Sequence, residues 1–123
     1  MATLNDRVFD FGLSILDLEA NRIDITSQEA TSYAQATSTY SLGNSTSLAI
    51  GAPQNRTGGG REVPVVETTG GNVTASGTAT HYALVDTVGG TLLATSTLTA
   101  SQVVTLGNTF SVGAFTIGIP DPV

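Results

Sequence analysis

Between Val73 and Val85 the chain alternates with a period of two. Val73, Ala75, Gly77, Ala79, His81, Ala83 and Val85 fall on one side, and Thr74, Ser76, Thr78, Thr80 and Tyr82 on the other. A helix, at about 3.6 residues per turn, would scatter both sets around its circumference, whereas an extended strand keeps them apart. The pattern therefore predicts one long strand with a small, mostly apolar face and a hydroxyl-rich one. Gly89-Gly90 offers the positive-φ positions of a tight hairpin turn leading into a second strand over Thr91 to Leu98. Val103 to Leu106, a Gly107-Asn108 turn and Phe110 to Val112 read as a further hairpin. Phe115, Ile117 and Ile119 then alternate with Thr116 and Gly118 until Pro120 and Pro122 stop the sheet.

Composition points the same way. Twenty Thr, eleven Ser and fourteen Gly fill a chain of 123 residues, and β-branched Thr suits a pleated surface while Gly supplies turns. A chain of this length favours one domain, 1–123, able to bury roughly two thirds of its unfolded surface without disulfides. Several short strands at turn-punctuated spacing predict a mainly β protein, an antiparallel β-sandwich of immunoglobulin-like or jelly-roll-like type. It carries a short N-terminal helix or arm and a long Gly-rich loop.

Two periods compete at the N-terminus. Leu4, Val8, Phe11, Ile15 and Leu18 have helical spacing, while Phe9, Phe11, Leu13 and Ile15 alternate. Leu13, Leu16 and Ala20 also share a helical face, so the reading is a short helix over Phe11 to Ala20 behind an extended arm, 1–10. Arg22 to Thr26, RIDIT, reads as a half-buried strand with Ile23 and Ile25 inward and Arg22 and Asp24 outward. Ser27 is an N-cap candidate before one or two helical turns in Ala30 to Thr37. Residues 41–62, with Gly43, Gly51, Pro53 and the Gly58-Gly59-Gly60 triplet, read as an exposed loop.

Charge narrows the partners. Ten acidic residues face four Arg and no Lys, for a net charge of -6. Such a surface releases few phosphate counterions and is repelled by anionic lipid, which argues against nucleic acid and membranes as partners. No stretch approaches the roughly 20 apolar residues of a membrane span. Without cysteine there is no disulfide scaffold, thiolate metal site or cysteine nucleophile. Met1 to Asp10 lacks the basic and apolar blocks of a secretory signal, giving the expectation of a soluble protein made in a cytoplasm.

Candidate chemistry is sparse. His81 is the only histidine, and between Ala79 and Ala83 it reads as a structural residue, not a general base. Asp17 and Glu19, like Asp6 and Asp10, read as solvated faces and not as a paired-carboxylate site. Asp86 and Asp121 adjoin turns, where aspartate bonds its own backbone. Gly58-Gly59-Gly60-Arg61 lacks the Lys and hydroxyl of a phosphate loop. Asn44-Ser45-Thr46, Asn55-Arg56-Thr57 and Asn72-Val73-Thr74 match the glycosylation pattern at a rate that Ser/Thr richness explains. The expectation is no enzyme, no cofactor and no metal. What remains is surface, above all Val8, Phe9, Phe11 and Leu13, which either cap the domain's own core or pack on a neighbouring subunit.

Gly12-Leu13 through Ile23-Asp24-Ile25-Thr26-Ser27-Gln28-Glu29 and on to Ala36-Thr37-Ser38-Thr39-Tyr40 resembles small structural proteins of tailed bacteriophages encoded in the virion module. His81-Tyr82-Ala83-Leu84-Val85-Asp86, Leu92-Leu93-Ala94, Val103-Val104-Thr105 and Gly107-Asn108-Thr109-Phe110 are similar to the same group. The resemblance implies a virion component, a capsid decoration or cement protein on the outer capsid surface, assembled in the bacterial host cytoplasm. It implies the major capsid protein or other virion proteins as partners, and self-association, by analogy as trimers. It also allows a tail, head-tail connector or fibre-attachment protein. A carbohydrate-binding or adhesion module is a further reading, since Tyr33, Tyr40 and Tyr82 offer rings to stack on sugars.

Overall fold

A computed structural model describes residues 3–4 and 12–119 of the chain. In order these are strand β1 (Thr3–Leu4), helix α1 (Ser14–Glu19), β2 (Arg22–Thr26), a π-helical turn (Gln35–Thr39), β3 (Ser41–Ser45), β4 (Gln54–Asn55), β5 (Arg61–Val65), β6 (Thr68–Val73), β7 (Gly77–Asp86), β8 (Thr91–Val104), β9 (Thr109–Val112) and β10 (Phe115–Ile119). The strands form a seven-stranded sheet, ordered β1-β8-β7-β2-β3-β6-β9, and a three-stranded sheet, β10-β5-β4. Their pairings are antiparallel. The large sheet curls into a half-barrel, so the architecture is mainly β and sandwich-like, as the alternation requires.

The core lies inside that curl. Ile23 and Ile25 of β2, Leu84 of β7 and Leu93 of β8 meet Val63 and Val65 of β5 and Ile117 of β10, with Leu13, Ile15 and Leu16 added from the α1 region. Removing each such side chain from water is worth about 1.5–3 kcal/mol. Helix α1 is shorter than the spacing suggests. Gly12, at φ 79, sets its start, and the chain turns extended at Ala20 to enter β2.

The opposite face of the large sheet is also covered. Residues 27–40 fold over it, so that Ala30 and Ala36 pack on Ala83 and Val85 beside Tyr33, Tyr40 and Leu92. The turn expected in Ala30 to Thr37 forms late and wide, with the Tyr40 N–H donating to the Gln35 carbonyl at 2.9 Å. β2 is therefore buried on both sides rather than half-buried.

Two further expectations need correction. The single strand expected from Val73 to Val85 is broken at Thr74–Ser76 into β6 and β7. Its faces then invert. Ala79 belongs to the main core, but so do Tyr82 and Leu84, while Ala83 and Val85 face the covering segment. The faces change where the register between the two strands shifts: Ala79 pairs with Gln102 but His81 with Thr97, so two steps on β7 oppose five on β8. The expected loop over 41–62 contains strand β3, held between β2 and β6, and the short strand β4, with β5 beginning at Arg61. The expected turn joins β7 to β8, but only Gly90 takes a positive φ, 66°, and Asp86 Oδ1 accepts from the Val88 and Gly89 N–H groups.

Candidate functional site

Two places gather polar side chains on this scaffold. The first is the covered face of β2. Asp24 is fully buried, and its carboxylate accepts from Arg22 Nε at 2.7 Å, Arg22 Nη2 at 2.9 Å and Ser41 Oγ at 2.7 Å. The bidentate bond holds the Arg22 guanidinium above its ordinary pKa, against the opposing effect of partial burial. Two strand positions on, Thr26 is fully buried and its Oγ1 has no hydrogen-bond partner. His81 lies directly opposite Thr26. The Thr80 hydroxyl donates to the Ser27 carbonyl at 3.0 Å, so His81 Nδ1, 2.8 Å from that same hydroxyl, is the donor of the pair. Glu29 Oε1 accepts from Thr95 at 3.3 Å, joining the covering segment to β8. Each charge here is engaged by a neighbour within the fold, so the chemistry of the layer is positional: it fixes the segment 27–40 on the sheet.

The second place is the seam where the half-barrel stays open. A groove of about 550 Å³ runs between the bulged part of β8, Ser96 to Gln102, and the β9–β10 link with its flanks, Val112 to Thr116. Tyr82 and Phe115 lie within it, ring centroids 4.4 Å apart and planes inclined by 39°. One end is tied by Gln102 Nε2 donating to the Ser111 carbonyl at 2.9 Å. Burial pushes the Tyr82 phenol up to about 12, although a hydrogen bond with Ser96 works the other way. At ordinary pH this phenol is a neutral donor.

The residues named from the sequence separate. Leu13 is buried in the main core, one of its two open assignments. Val8, Phe9 and Phe11 lie outside the described residues, as do Asp6, Asp10 and Asp121. The three tyrosines do not form one platform. Tyr33 and Tyr40 pack on the covered face, and Tyr82 alone reaches the groove. The Gly triplet closes the β4–β5 hairpin, where Arg56 Nη1 donates to the Gly59 carbonyl and Arg61 to Asn55 Oδ1 and the Pro53 carbonyl.

The apolar side chains left in solvent sit mainly at strand ends and turns. Val88 is 90% exposed at the β7–β8 turn, Val103 84% near the end of β8, and Leu18 76% on α1. Sequence reasoning missed both the groove, which combines four separate strands, and the burial of Asp24. Searches of protein-family models, of curated proteins and of solved structures found no match to this chain.

Proposed function

We propose that this chain is a structural component of a tailed-phage particle, a decoration or cement protein that binds the outer capsid surface and stabilises it by bridging neighbouring subunits. The resemblance of its N-terminal and β7–β9 segments to small virion proteins supplies the class. The observation that carries the binding mode is the pairing of β1 on the outer edge of β8, with Thr3 opposite Thr95 and Leu4 opposite Ala94.

That edge accepts an added strand through backbone hydrogen bonds, which work regardless of side-chain detail. A segment seated on its own domain can be exchanged with the same segment of a neighbour at little energetic cost, and this links copies to one another. Val8, Phe9 and Phe11 follow β1 in sequence and supply apolar anchors for such an arm. Exposed Val88 and Val103 add apolar contact area. The net charge of -6 suits an exterior position, away from packaged DNA. Self-association as trimers would match the local three-fold symmetry of such a shell.

Deleting Met1 to Asp10 tests the arm. Loss of the protein from assembled particles, with the truncated chain still folded, is the expected result. Unchanged occupancy would remove the arm as the anchor.

A further inference from the structure

We propose that the open seam is a binding site for a neutral saccharide. Among its described lining residues there is no Asp, Glu, Lys, Arg or His, in a protein that is otherwise strongly acidic. An ionic ligand finds no counter-charge there. Ser96, Thr97, Thr99, Gln102 and Thr116 line it with hydroxyl and amide groups, which both donate and accept. Against these stands the half-buried ring of Phe115, packed on buried Tyr82. A ligand complementary to both surfaces carries many hydroxyls together with apolar C–H faces and no charge, which is the chemistry of a neutral sugar. The volume falls within the roughly 300–1,000 Å³ of small-molecule sites.

The site stands on fixed elements. Gln102 ties one side of it to Ser111, and the irregular stretch of β8 is held by its pairing with β7 on either side. Tyr33 and Tyr40 take no part, because the large sheet separates them from the groove. This inference is independent of the virion reading: a sugar site can serve adhesion in any location.

The test is a glycan array of neutral and acidic glycans, followed by ¹⁵N chemical-shift titration of the full chain with the neutral trisaccharides maltotriose, cellotriose and chitotriose and with any array hit, up to about 10 mM, a range that detects millimolar affinity. Shift changes confined to Ser96–Gln102 and Val112–Thr116 are expected, and Thr116→Arg, at an exposed position that fills the groove, should weaken binding at least tenfold. Ala114→Arg repeats the block from another exposed position should the first variant misfold. Binding that survives both variants, shifts centred on Tyr33 and Tyr40, or no response to any neutral glycan would overturn the proposal. So would shifts in the groove caused only by a peptide of residues 1–11, which would make it a strand seat instead.

Discussion

Asp24→Val isolates the polar layer on β2. Valine suits a strand and leaves little void, so the substitution chiefly removes the acceptor of three short hydrogen bonds, at 2.7, 2.9 and 2.7 Å. Removing one partner of a buried ion pair costs about 3–5 kcal/mol, because the other charge is left uncompensated. Here the Arg22 side chain is 22% exposed and recovers some hydration. The expected loss is therefore at the lower end, about 3 kcal/mol, or roughly 10 °C in Tm for a chain of this size. Denaturant titration should show a lower midpoint with an unchanged slope. The companion variant Arg22→Met strands the buried carboxylate and should cost about as much. The double variant Arg22→Met/Asp24→Val removes both charges and should lie closer to wild type than either single one. A cost below about 1 kcal/mol for Asp24→Val, or a double variant as unstable as the sum of the singles, would refute the account of this layer.

Other outcomes follow from the same geometry. The Tyr82 phenol has its folded pKa raised from 10.0 to about 12, so its contribution is complete below pH 10 and is lost as pH rises through 12. A loss of about 2–3 kcal/mol is expected over that window, and Tyr82→Phe should flatten this part of the stability profile measured by chemical denaturation. Gly43→Ala would set a Cβ 2.5 Å from the Asn72 carbonyl oxygen, which is backbone and cannot yield; destabilisation of about 2–3 kcal/mol is expected in a thermal melt.

How far the sequence reveals this molecule depends on which neighbours each strand meets. The β7–β8 hairpin and β10 are readable because alternation and turn residues are local signals, whereas the hairpin expected from Val103 to Val112 does not form: the chain turns at Gly107, but β9 pairs with β6 and not with β8. Ser41–Ser45 is not: SLGNS has one large apolar residue, and it becomes strand only because β2 and β6 pair with it on either side. RIDIT shows its alternation plainly, yet nothing within it announces that residues 27–40 will cover Arg22 and Asp24. The face inversion on β7 falls where its register against β8 shifts, between Ala79 and His81, and nothing in the local sequence of either strand marks that shift. The groove was illegible for the same reason, since Tyr82, Ser96 and Phe115 meet only after the sheet curls. Leu13 had two places open to it by hydrophobicity alone, and packing against the core decides between them.

The central claim is that this protein works by attachment to a particle. Quantifying the polypeptide against the major capsid protein in purified virions tests it most directly. The account predicts copies in proportion to the capsid subunits, located on the outer surface. A handful of copies would point to a connector or tail position, and virions wholly lacking the chain would contradict the account.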